Sequence, residues 1–137
     1  MTVTPLIGQD IGAAFRATRS VLDQLLDRDG TPFLEWVTLR QLAATDEPVA
    51  RDDLFRALAP GGGDASGAVA ALVRRGDATD DGSTVALTAA GAARYRTLER
   101  QVVKVVDSLY DGIAPADMDT TKRVLAAITE RASRFAA

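Results

Sequence analysis

Ile7, Ile11, Phe15, Val21, Leu22, Leu25 and Leu26 recur at three- and four-residue steps, which predicts an amphipathic helix over residues 5 to 27. Arg28-Asp29-Gly30 breaks it, with Gly30 as the stop and Thr31-Pro32 as cap and first position of a second helix. Phe33, Trp36, Val37, Leu39 and Leu42 give that helix its apolar side, and the pattern fades near Thr45. A short helix over 51 to 59 carries Leu54 and Leu58, and Pro60-Gly61-Gly62-Gly63 interrupts it. Asp64 then caps a fourth helix, whose buried stripe is read as Val69, Leu72 and Val73. Gly76 ends this helix. Asp81-Gly82 is a two-residue hairpin signal between strands at 77 to 80 and 83 to 87. Thr88 caps a long fifth helix with Tyr95, Leu98, Val102, Val105, Val106 and Leu109 on one side. Asp111-Gly112 closes it, and Pro115 opens a sixth helix bearing Val124, Leu125, Ile128 and Phe135. The fold class is therefore mostly α with a small β-hairpin, without internal repeats.

The chain of 137 residues is one domain's worth. No apolar run approaches the roughly 20 residues that span a bilayer. The N-terminal MTVTPLIGQD lacks the basic-then-apolar pattern of a secretory signal, so a cytoplasmic location is expected. The chain contains neither Cys nor His. That removes thiol chemistry, the commonest general base and the commonest zinc ligand. No catalytic residue, metal site or cofactor is expected, and the chain does not read as an enzyme.

Two short helices, a glycine-interrupted connection, a third helix and a hairpin make a winged helix-turn-helix. With long flanking helices, the whole chain resembles the MarR family of bacterial transcriptional regulators. The resemblance is carried by ALVRRG at 71 to 76, VALTAAG at 85 to 91, and GIAPADMDTTKRVLAAI at 112 to 128. In that family these correspond to the end of the recognition helix, the LTxxG seam between wing and long helix, and the last dimerisation helix. The resemblance implies one domain over 1 to 137, with the winged part at 31 to 87 and dimerisation helices at 1 to 30 and 88 to 137. It implies a homodimer whose apolar contacts include Ile7, Ile11, Val124, Ile128 and Phe135. It also implies double-stranded DNA as a partner, met by Arg51, Ser66, Arg74, Arg75, Ser83 and Thr84. A small aromatic effector would sit near Phe15, Trp36, Arg40 and Tyr95, although aromatics at helical spacing also read simply as core.

The charge distribution runs against part of this expectation. Residues 45 to 87 hold eight acids and four bases, net −4, while 88 to 137 hold six acids and eight bases, net +2. Phosphate affinity comes from Lys and Arg, so the winged part has the wrong sign. With Val69, Leu72 and Val73 inward, the outward side of the fourth helix is Asp64, Gly67, Ala71 and Arg74, flanked by Ala68 and Ala70. The Asp-Arg pair usual before the late leucine in the family is here Ala70-Ala71. Asp81 falls where family wings carry a minor-groove arginine. Arg74 and Arg75 in a last helical turn also favour the helix dipole whatever the function. The alternative reading is a degenerate winged-helix dimer, no longer sequence-specific, acting as a ligand- or protein-binding module.

Three further motifs have simpler explanations. GGGD at 61 to 64 precedes a helix but lacks the Lys-Ser/Thr of a phosphate loop and reads as a connector. DATDDG at 77 to 82 begins like a calcium loop, yet Thr88 stands at the position of the bidentate Glu, so a hairpin turn is favoured. DMD at 117 to 119 places acids in a first helical turn. Arg94, Arg96, Arg100 and Lys104 form a basic run, read as a solvated face or a surface for acids such as the hairpin's own aspartates.

Overall fold

A computed structural model describes residues 8 to 136. Six helices run through it: α1 (Gly8–Asp29), α2 (Phe33–Ala43), α3 (Arg51–Leu58), α4 (Ala65–Arg74), α5 (Ala89–Tyr110) and α6 (Pro115–Ala136). Three strands complete it: β1 (Val49–Ala50), β2 (Ala78–Asp80) and β3 (Thr84–Leu87), in the antiparallel order β1-β3-β2. The residues divide into two compact units, the first extending to Val103 and the second beginning at Lys104. No helix among the described residues is long and apolar enough to cross a membrane.

In the first unit, Leu26, Trp36, Leu39, Leu42, Leu54, Leu58, Val69, Leu72, Val85 and Leu98 are buried in one cluster. Helix α2 lies at its centre and packs on α1, α3, α4 and β3. That position explains why its hydrophobicity is not confined to a stripe, and why Thr38 is buried there. The Thr38 hydroxyl is satisfied by donating to the Leu34 carbonyl, so its burial costs little.

The expected boundaries hold within two residues, with informative exceptions. Helix α1 continues to Asp29, and positions 5 to 7 of the expected helix, Ile7 included, lie outside the described residues. Thr31 does not cap α2. Pro32 occupies the N-cap, and the Thr31 hydroxyl donates to Asp29 Oδ2 at 2.6 Å. Asp64 does cap α4, its Oδ1 accepting the Gly67 N–H at 2.9 Å. Strand β1 has no counterpart in the hydrophobic pattern, because two residues cannot display an alternation; pairing of Val49 with Val85 reveals it.

The hairpin loop is displaced by one residue. Asp80 pairs with Val85 and the Asp81 N–H donates to the Thr84 carbonyl, so the two-residue loop is Gly82-Ser83. Gly82 takes φ +88°, and no non-glycine among the described residues has a positive φ. A positive φ at the first loop position is one that glycine adopts without strain.

The seam between wing and α5 is tightly made. Thr88 Oγ1 donates to the Gly76 carbonyl at 2.6 Å and accepts the Gly91 N–H at 3.1 Å, which caps α5 as expected. The Asp77 carbonyl accepts the Thr88 N–H and lies against Gly91. A Cβ at Gly91 would stand 1.9 Å from that oxygen, so only glycine allows the approach. This is the physical content of the LTxxG pattern in this chain.

In the second unit no described residue is buried. Val124, Leu125 and Ile128 are 43%, 38% and 39% exposed on one side of α6, and Phe135 is 93% exposed. Leu109, Tyr110 and Ile113 near the end of α5 are exposed as well.

Candidate nucleic-acid interface and ligand groove

Helix α4 presents a different face from the one its sequence suggests. Ala68 is buried and Val73 is exposed, the reverse of expectation. The phase is set by α2 and β2, against which α4 packs. Val69 and Leu72 remain the core pair, but the third inward position is the alanine one residue before Val69. The exposed positions are Ser66, Ala70, Val73 and Arg74, which repeat at helical spacing along one side.

The two arginines that end this helix have separate fates. Arg74 is exposed and has no ion-pair partner among the described residues. Arg75 reaches back to the α1–α2 turn, donating to the Gly30 carbonyl at 2.9 Å and standing 3.5 Å from Glu35 Oε1. Glu35 is buried, so this guanidinium is its counter-charge. Arg51, likewise expected at DNA, donates from Nε to Asp80 Oδ2 at 3.1 Å and lies over the Phe55 ring. Ser83 is exposed and Thr84 half-buried at the hairpin.

Each aspartate of the wing has an internal partner. Asp77 is buried and accepts from Arg94 Nη1 at 2.6 Å. The same guanidinium contacts Asp29 Oδ2 at 3.2 Å and the Thr31 hydroxyl, tying the α1–α2 turn to the start of the wing. Asp80 meets Arg51 and also accepts the Gly82 N–H. Asp81 Oδ1 accepts the N–H groups of Ser83 and Thr84, and Oδ2 accepts the Thr84 hydroxyl. The backbone N–H of Thr84, then that of Ser83, hold the Asp81 carboxyl below its usual 3.8. The acidity of the wing is thus part of how the hairpin is built. Of the basic run, Arg94 is the member that engages these aspartates, while Arg96, Arg100 and Lys104 are exposed.

Of the four residues expected around an effector, Tyr95 meets Trp36 and feels the Arg40 charge, but no single groove is lined by all four. Trp36 is buried and stacks on Tyr95, ring centroids 5.3 Å apart. Phe15 is 62% exposed on α1. Arg40 borders a groove of about 410 Å³ with Arg19, Phe33, Leu34, Val37, Leu58 and the glycines at 61 to 63. No carboxylate lines it. Arg19 lies over the Phe33 ring at 3.3 Å and pairs with Asp23. Tyr95 belongs instead to a second groove of about 400 Å³, bordered by Asp46, Glu47, Glu99 and Arg96. Burial, and then the Glu99 charge, push the Tyr95 phenol above its usual 10.0. The pairing of Arg19 with Phe33 escaped the sequence reading because a cation over a ring needs α1 and α2 to be packed first.

No family model matches the sequence, and no curated protein matches it. Solved structures do match in shape. A MarR family transcriptional regulator from Silicibacter pomeroyi is 25% identical, with a TM-score of 0.67 over 80% of this chain and 79% of its own. NadR in complex with 4-hydroxyphenylacetate is 18% identical, with a TM-score of 0.75 over 95% of this chain and 99% of its own. CouR from Rhodococcus jostii RHA1, bound to p-coumaroyl-CoA, is 18% identical, with a TM-score of 0.72 over 86% and 87%. The order of helices, the hairpin wing and the seam at Gly91 together with these matches mean that the chain has the winged-helix fold of the MarR family of transcriptional regulators.

Proposed function

We propose that this chain is a MarR-like dimeric transcriptional regulator that binds duplex DNA and is released by a small organic acid. The observation that carries the reading is the uncovered face of α4, Ser66, Ala70, Val73 and Arg74, beside a formed hairpin wing. Its support is the fold shared with regulators and the internal use of the wing's carboxylates, which gives their presence a structural cause. Direct DNA contacts are assigned to Ser66, Arg74, Ser83 and Thr84. Arg51 and Arg75 act by holding the wing and the end of α4 in place.

The homodimer is inferred from apolar positions left open in a single chain. Val124, Ile128 and Phe135 lie along α6, and Ile11 on α1 is half-buried. A contiguous exposed apolar stripe on a helix marks an interaction surface. A second copy satisfies it with closed symmetry.

The effector is assigned to the groove at Phe33, Arg19 and Arg40, because its charged groups are cations over an apolar floor. An anion with an apolar body fits that arrangement better than the acid-rimmed groove at Tyr95. The ligands named for the NadR and CouR structures include 4-hydroxyphenylacetate, an acid of this kind.

Selection from a random duplex pool, followed by titration at low and physiological salt, tests the regulator reading. A regulator enriches a sequence and loses affinity with salt at a slope of about −0.9 per phosphate contacted. Sequence-blind binding at low salt would instead favour the degenerate dimer, with the groove and α6 stripe as its functional surfaces.

A further inference from the structure

We propose that α4 reads thymine methyl groups, so that the DNA preferred by this protein is defined by thymines in the major groove. The inference rests on the reading of the chain as a DNA-binding regulator and specifies the base chemistry of its recognition face.

The face has a hydroxyl at one end and a guanidinium at the other, with methyls between. Ser66, Ala70 and Arg74 lie one turn apart, and Val73 stands beside Arg74. No Asn, Gln or Lys occurs anywhere in α4, so the side chains that read purine edges with paired hydrogen bonds are missing, Arg74 excepted. Thymine is the base that offers carbon, through its C5-methyl, in the major groove.

Val73 carries the argument. Its neighbours Val69 and Leu72 are 1% and 0% exposed, whereas Val73 is 39% exposed, with its isopropyl group turned away from a core that accepts Ala68 instead. Ala70 adds a methyl on the same side. For a helix lying along the groove, Ala70 and Val73 are about 4.5 Å apart along its axis. That is close to the ~3.4 Å step between stacked pairs, so the two meet neighbouring bases. Asp64 does not compete, since its carboxylate is occupied in capping the helix. The flanking guanidinium and hydroxyl, with the hairpin alongside, suit a nucleic acid better than an apolar protein surface.

The test uses the full-length protein and the duplex enriched from a random pool. Each thymine in a half-site is replaced singly by deoxyuridine, which removes the C5-methyl and keeps every hydrogen bond. We expect about a fourfold loss of affinity at one or two neighbouring positions, the worth of one buried methyl. Val73→Ser, which removes both γ-methyls from an exposed position, should abolish the dependence on one of those methyls while the circular dichroism spectrum is retained. Specific binding that tolerates deoxyuridine at every position would overturn the methyl inference and leave the regulator reading standing. Failure to enrich any sequence would overturn the regulator reading itself. Binding of a protein partner blocked by Val73→Ser, with DNA affinity unaffected, would reassign the face and also overturn the proposal.

Discussion

Asp77 holds a charge in the interior, 5% exposed, and depends on Arg94 to keep it there. Removing one partner of a buried pair leaves an uncompensated charge, whereas removing both leaves none. Arg94→Ala should therefore lower the unfolding free energy by about 3 kcal/mol. Adding Asp77→Asn should restore a large part, read from urea midpoints; an additive double mutant would show that the pair is not coupled. Asp81 behaves differently because it is open to solvent. Its carboxyl is held below 3.8 by two backbone N–H groups, so its contribution to the turn is complete above the unfolded value. That contribution is lost as pH falls through the lower folded value. An NMR titration should place the Asp81 midpoint below the ordinary 3.8, and in Ser83→Pro, which deletes one N–H, it should rise. The presence of these aspartates is plain in the sequence, but their roles are not. A charge count treats all three alike, while one is buried with an arginine, one is paired at the edge, and one is a turn acceptor.

Among the elements, α5 illustrates how much a local motif can specify. Thr88 both caps the helix and secures the Gly76 carbonyl, so Thr88→Ala should cost about 1 to 2 kcal/mol and Thr88→Ser much less. Thermal unfolding of the two variants checks this, and equal losses would argue for the methyl over the hydroxyl. Caps of this kind span three residues, which is why Asp64 and Thr88 are legible in the sequence alone. Helix α4 shows the opposite case. Its apolar content predicts a helix with a buried side, but Ala68, Val69, Leu72 and Val73 allow two phases. The choice between Ala68 and Val73 belongs to the elements it packs on, α2 and β2. Strand β1 is similar, since Val49 and Ala50 become a strand only by pairing with Val85 and Thr84.

For the molecule as a whole, the proposed dimer rests on the second unit, in which no described residue is buried. Ile128→Glu places a charge in the proposed interface and should shift sedimentation at micromolar concentration from a dimer towards single chains. Helicity of the first unit should be retained. A species of unchanged mass would remove α6 from the interface. The sequence by itself determined the order of the helices and the hairpin, the caps at Asp64 and Thr88 and the stop at Gly76, because each is a matter of a few adjacent residues and allowed backbone angles. It also showed that the wing is acidic. Tertiary structure alone decided that Arg94 reaches Asp77 and Asp29, that Arg75 is drawn to Gly30 and Glu35, and that Trp36 stacks on Tyr95. These contacts join residues 17 to 65 positions apart. Periodicity gives each helix an apolar side but not its rotation, and the rotation settles which charges meet and which face of α4 is left uncovered.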